Sequence, residues 1–329
     1  MKKYTFFKKA AITAATVCIA FAMQAQQIAV VSPSGTTTTY IDINLALCEA
    51  PSGSIVYLSG GGFVVNDSVK IKKKLTVTGI GHRPDNDNAD GFTSIVGNLF
   101  FEENSDGSAL IGVWMSGDVY IATIGTHINN FLLRFCNINS FQVRNGNCLG
   151  IFINQNYLRG TSNGGNSPIT LNNNILSHIQ SVTGGIIEHN FIHSGIGHYN
   201  YPIYNSQIKN NICLFTNNYV SWSVHNCIIE SNMGYFELGG ANSNSIVVSD
   251  WNEVLEGPWS GINVHNNYAL KPGAPGTNAA TNGSDIGIYG GTGFSNTALP
   301  PGPRIVSKRV ANQTDVNGKL RIEIEVSAE

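Results

Sequence analysis

A six-residue pattern returns along this chain at intervals that only a stacked coil can accommodate. It reads as an apolar residue, two variable ones, an asparagine, and two positions that are usually apolar. It occurs as "IVGNLF" (Asn98), "MSGDVY" (Asp118 in place of Asn), "INQNYL" (Asn156), "LNNNIL" (Asn174), "IEHNFI" (Asn190), "IKNNIC" (Asn211), "IESNMG" (Asn232) and "VHNNYA" (Asn267). Weaker copies are "RFCNIN" (Asn137) and "SDWNEV" (Asn252). The steps are 20, 19, 19, 18, 16, 21, 21, 20 and 15 residues, a mean of about 19. A period this short excludes helical repeats, which need about 33 residues. Its Ile, Val, Asn and Gly content points to short strands and tight turns.

Asparagine is a poor strand former, and its buried amide is costly unless fully bonded. Stacked coils meet that demand. Units about 4.8 Å apart align equivalent asparagines, and each amide has donors and acceptors for the rung above, the rung below and the turn backbone. The ten residues are therefore read as rungs of a ladder inside an all-β parallel β-helix, a solenoid in which each unit is buried by its neighbours.

The ends differ from the middle. "MKKYTFFKKA" and the apolar "AAITAATVCIAFA" read as a secretory signal peptide over residues 1–25, too short to span a membrane. Cys18 lacks the small residues of a lipid-anchor site before it. Removing the leader takes Lys2, Lys3, Lys8 and Lys9 and moves the formal charge from −2 to −6. A chain so charged, without a basic cluster, does not suit nucleic acid or an anionic membrane surface. Cys48, Cys136, Cys148, Cys213 and Cys227 follow, an odd number without CxxC pairs. They read as buried small hydrophobes, one disulfide remaining open. "TTTTYIDINLALCEA" (36–50) predicts a short helix with Ile41, Leu45 and Cys48 on its buried face, capping the first coil.

With that helix, the "SGSIVYLSGGGF" strands, the "KKLTVTGIG" coil and the ladder, residues 36–290 resemble the secreted right-handed parallel β-helix proteins of the pectate-lyase-like superfamily. The resemblance implies a right-handed coil and an extracytoplasmic location: secreted, periplasmic or cell-surface. The β-helix domain is placed at 26–295. Within it "KPGAPGTNAATNGSDIGIYGGTG" reads as a glycine-rich closing loop. Residues 296–329 are read as a Pro/Gly linker and a strand tail, where Leu320, Ile322, Ile324 and Val326 alternate with charged residues after an Asn317-Gly318 turn. That single half-buried strand is expected to cover an edge or dock onto a protein partner.

The position two before each rung faces outward. That column reads Asn154, Asn172, Glu188, Lys209, Glu230, Asp250 and His265. A polysaccharide along this sheet face is the leading expectation. A lyase would use Lys209 or His189 as base, with a calcium ion on Glu230 and Asp250. A hydrolase would pair Glu188 with Glu230 across about 10 Å, near the inverting range. Catalytic candidates are thus Glu188, Lys209, Glu230 and Asp250, although no aspartate or basic cluster of the known lyases or polygalacturonases is present. Tyr199, Tyr201, Trp222, Tyr235, Trp251 and His265 are the sugar-binding candidates, with Tyr219 and Trp259 nearby. His178, His189, His193 and His198 lie close in sequence, but their spacings of 11, 4 and 5 need not converge on zinc. A solvated strand face fits the same charges, and a structural or adhesion module fits the same fold.

Overall fold

The computed structural model describes residues 27–83, 91–123, 125–144, 147–163, 167–198, 200–216, 223–238, 243–297, 299–300, 303–314 and 319–328. The signal-peptide reading (1–25), Tyr199, Tyr219, Trp222 and the Asn317-Gly318 turn lie outside these residues. The chain is a right-handed parallel β-solenoid of about 8 turns with about 21 residues per turn. Each central coil supplies one strand to each of two sheets. In one coil Ile169–Asn172 belongs to the first sheet and Ile175–Gln180 to the second.

The turn between those two strands organises the molecule. Its second residue is the ladder residue, and Asn156, Asn174, Asn190, Asn211 and Asn232 stack there, all fully buried. Asn190 illustrates the bonding. Its backbone N–H and Nδ2 donate to Asn211 Oδ1 at 2.9 and 3.0 Å, and Nδ2 also donates to the carbonyls of Leu171 and Glu188. Its Oδ1 accepts the backbone N–H and Nδ2 of Asn174 at 3.0 and 3.1 Å. No polar atom of this side chain is left without a partner.

The other five expected rungs lie elsewhere. Asn137 is one residue out of register, and Cys136 holds the rung. The Cys136 backbone N–H donates to Asn156 Oδ1, and its Sγ approaches the carbonyls of Leu110 and Arg134 where an amide would reach. Asn98 and Asp118 form a separate, partly exposed column with Asp67 and Asn139. Asn252 belongs to a short 3-10 helix, Trp251–Glu253, and Asn267 bonds Glu256 in a loop. Between Asn156 and Asn232 the rungs lie 18, 16, 21 and 21 residues apart, so individual turns vary in length.

The turn's first residue takes a left-handed conformation in six successive coils: φ is 54° at Phe135, 58° at Gln155, 53° at Asn173 and His189, 59° at Asn210 and 50° at Ser231. Among these types Asn and His adopt that region more readily, so the ladder bonds hold Phe135, Gln155 and Ser231 there. A second column, at the entrance to the first sheet, uses hydroxyls and thiols. Cys148 Sγ accepts from Ile128 N–H, Ser167 Oγ from Cys148 N–H, Ser206 Oγ from Gly185 N–H and Cys227 Sγ from Ser206 N–H. The five described cysteines are free thiols, and burial pushes that of Cys136 up to about 12.

The residue after each rung points outward yet is apolar. Tyr157, Ile175, Phe191, Ile212 and Met233 pair in register along the second sheet. They form a second hydrophobic core with Trp251, Leu255, Tyr268, Ile286, Ile288 and Phe294. The glycine-rich segment therefore does more than close the last coil: it runs back along the solenoid as a strap. Side chains at the left-handed positions tie it down. Asn210 Oδ1 accepts from Thr281 N–H, Asn173 Nδ2 donates to Ile288 and Gly290 carbonyls, and Gln155 Oε1 accepts from Ser295 N–H. A Cβ on Gly290 would sit 2.5 Å from His189 Nδ1, so this crossing requires glycine.

Both ends depart from the sequence reading. The helix is Ile43–Glu49, capped by Asp42, whose carboxylate accepts from Asn44 N–H. Its buried face is Ile43, Ala46 and Leu47, whereas Ile41, Leu45 and Cys48 are exposed. Both triplets satisfy helical spacing, and the cap at Asp42 leaves Ile41 outside the helix. The first coil's edge is covered as well by an antiparallel strand, Ile28–Val31, itself paired with Thr37–Tyr40. At the other end, part of the expected linker is a strand. Pro303–Thr314 pairs antiparallel with Leu320–Ala328 as a separate two-stranded sheet. Within the tail strand Ile324 and Val326 are 55% and 57% exposed.

Two substitutions check this account by chemical denaturation. Asn190→Ala strands buried donors on two coils and is expected to cost about 3–5 kcal/mol, against under about 1 kcal/mol for Asn137→Ala. Phe191→Ala, although outward-facing, is expected to cost about 3–5 kcal/mol, as a core position does.

Candidate functional site

The uncovered side of the solenoid is the outer face of the first sheet, where strand alternation presents two parallel columns. One is Arg134, Asn154, Asn172, Glu188, Lys209 and Glu230, each paired with the next in register. The other is Leu132, Phe152, Thr170, Ile186, Gln207 and Ile228, offset by two residues. Phe152 is 48% and Ile228 51% exposed. The face is thus a polar row beside an interrupted apolar row.

Five sequence candidates, Asn154, Asn172, Glu188, Lys209 and Glu230, lie in the polar row; Asp250 and His265 do not. Ile228–Glu230 is the last strand of the first sheet, so no further strand extends the row beyond Glu230. Asp250 instead caps the short 3-10 helix, its Oδ1 accepting from the N–H and Nδ2 of Asn252. It therefore shares no register with Glu230, and the two carboxylates are not stacked for a common ion. His265 is exposed in a later loop, its N–H bonded to Asn263 Oδ1. Among the described residues no group of three or more His, Cys, Asp or Glu converges in a way that could hold a metal ion. His189 lies under the strap and His193 Nε2 accepts from Gly261 N–H, while His178 packs over Gly160.

The aromatic candidates divide in the same manner. Trp251 is fully buried, and Tyr235 packs edge-on against it at 5.9 Å. Trp251 thus offers no open face to a ligand, and Tyr235, half-exposed, has one side taken by that packing. Tyr201 is exposed beside His198, off both columns.

Charge along the row alternates. Lys209 Nζ binds Glu230 Oε2 at 2.8 Å, an ion pair with one half-exposed member. Glu188 has no such bond among the described residues. Partial burial raises its carboxyl above the ordinary value, and the Lys209 charge offsets only part of that rise. Burial likewise lowers the Arg134 guanidinium.

At the Arg134 end the row deepens into a groove of about 280 Å³, lined by Arg134, Phe152, Asn154, Thr170, Asn172 and, from the strap, Thr292. Two buried polar atoms of its lining have no hydrogen-bond partner, Arg134 Nε, a donor, and Asn172 Oδ1, an acceptor. Asn154 Nδ2 lies between them and donates to the Asn172 carbonyl. Arg134 and Phe152 were absent from the sequence candidates. Placing the repeat on Asn137 shifted that copy by one residue. With Cys136 as the rung, Arg134 falls two before it, as Glu188 does before Asn190.

Comparison of the chain with protein-family models and with curated proteins found no match in either.

Glu188 supplies a pH test. Its folded-state pKa is raised, so its contribution to stability is complete below the unfolded value and is lost as pH rises through the folded value. Glu188→Gln is therefore expected to melt higher than the parent at pH 7. The difference should vanish below about pH 4, where both states are protonated. Thermal melts across that range check it.

Proposed function

We propose that the outer face of the first sheet binds a polysaccharide, and that the chain works as a secreted or cell-surface β-helix whose role is binding. The observation that carries this reading is the groove holding Arg134 Nε and Asn172 Oδ1. Both atoms are buried in the groove's lining without a protein partner, a cost that a ligand drawing them outward would relieve. Beside them Phe152 offers an exposed ring of the kind on which a sugar's C–H face stacks. A repeat of one residue per coil, about 4.8 Å, also presents equivalent groups to successive parts of an elongated ligand. The resemblance to secreted pectate-lyase-like β-helices and the leader-like N-terminus support the location; the fold by itself does not define the ligand.

One observation favours a second reading, a glycoside hydrolase. Glu188 is held toward its protonated form while Glu230, two coils away at about 10 Å between backbones, carries an ion pair. An acid and a base at that spacing fit inversion. Lys209 stands between them already paired, which removes it as a free base for a lyase.

The test is affinity electrophoresis of the full chain against neutral and acidic polysaccharides, with reducing ends and unsaturated products followed in parallel. Binding is expected without product, and Arg134→Ala and Phe152→Ala should each weaken it about tenfold or more. Unchanged binding in both variants would overturn the reading. Reducing ends that disappear in Glu188→Gln would move it to the hydrolase.

A further inference from the structure

The second sheet changes character where its cover stops. The outward column from Met233 back to Tyr157 is roofed, and the last strap ring is Phe294, edge-on to Tyr157 at 5.5 Å. The column continues in register through Asn137 to Trp114. The covered positions are aliphatic or aromatic; the two beyond the roof are an amide and an indole, both half-exposed.

A cavity of about 180 Å³ lies there across three coils, walled by Trp114, Asn137, Asn139 and Arg159 over Met115 and Ile138. Arg159 is exposed, and its guanidinium has no ion-pair or hydrogen-bond partner among the described residues. The Asn137 amide and the Trp114 indole N–H are also unpartnered among them. The cavity thus gathers a free cation, a free amide and a ring with an available edge or face.

Its surroundings are cationic. Lys70 Nζ sits 3.1 Å over the Phe100 ring, Phe100 stacks on Tyr120 at 4.8 Å and 13°, and the Arg144 guanidinium lies 3.7 Å over Tyr120. These cations are held over ring faces. The neighbouring carboxylate, Asp118, is occupied by Asn139 Nδ2 at 2.7 Å, Tyr120 Oη at 3.0 Å and Gln142 Nε2 at 3.1 Å. A chain of net negative charge therefore gathers Lys70 and Arg144 on one ring stack of the second sheet, with Arg159 two coils on from Trp114 in the same sheet.

We propose that this cavity is a second binding site, for an acidic sugar unit of a polysaccharide. Arg159 takes the acidic group, Asn137 bonds a hydroxyl, and the Trp114 ring stacks on the sugar's C–H face. The site lies on the opposite side of the ladder turn from the first-sheet groove. It rests on its own residues, so either site can fail without the other.

Calorimetry on the full chain tests it, with three probes: a uronic-acid oligosaccharide, a sulfated one and a neutral one of equal length. At least one acidic probe should bind, more weakly as salt rises. Arg159→Ala and Trp114→Ala should each weaken that binding about tenfold or more, whereas Arg321→Ala, in the tail hairpin outside both surfaces, leaves it unchanged. Melting of each variant near the parent temperature excludes misfolding as the cause. Comparing the two acidic probes distinguishes carboxylate from sulfate as the group taken by Arg159. Failure of both acidic probes to bind, or binding unchanged in both Arg159→Ala and Trp114→Ala, would overturn the proposal.

Discussion

The amide bonding inside the turn between the two sheets is the constraint on which the remaining architecture depends. Each rung joins the backbone of one coil to the side chain of the next, so a one-residue slip would break bonds on both coils and turn every strand over. This fixes which residues face outward, and with them the polar and apolar columns of the first sheet. It also holds the preceding residue left-handed, which aims Gln155, Asn173 and Asn210 outward, where they bind the strap. One turn thus organises the inner core, the outer face and the cover over the second sheet.

The strap explains an otherwise odd feature of the repeat. An outward position in a parallel solenoid has no need to be apolar, yet Tyr157, Ile175, Phe191, Ile212 and Met233 are. They are buried because residues 248–294 return over them. Where the cover ends, the same column becomes Asn137 and Trp114, and the surface opens. Both candidate binding surfaces flank this end of the strap: Thr292 borders the first-sheet groove, and Phe294 closes the roofed column beside the second-sheet cavity.

Much of the fold was legible because stacking imposes the same local chemistry on each coil. Asn156 through Asn232 announce themselves by identical neighbours. The first coils were harder to read, since Cys136 serves as a rung with a thiol and the nearby Asn137 invited a shifted register. That shift concealed Arg134. The polar row from Asn154 to Glu230 followed from alternation alone, but Asp250 and His265 did not belong to it, because the coils had already ended and loops make no register. The burial of Trp251 was equally hidden, as no local pattern tells an aromatic under a strap from one on a surface. At the N-terminus two triplets satisfied one helical period, and only the cap at Asp42 separates them.

The central claim is that the stacked amides are continuously bonded inside the protein. The direct measurement is side-chain amide hydrogen exchange, resolved by NMR, across the asparagines. The account predicts that the Nδ2 protons of Asn174, Asn190 and Asn211 exchange only through global unfolding, while those of Asn137 and Asn267 exchange at rates near those of solvated amides. Fast exchange at Asn190, or equal protection at Asn137, would contradict it.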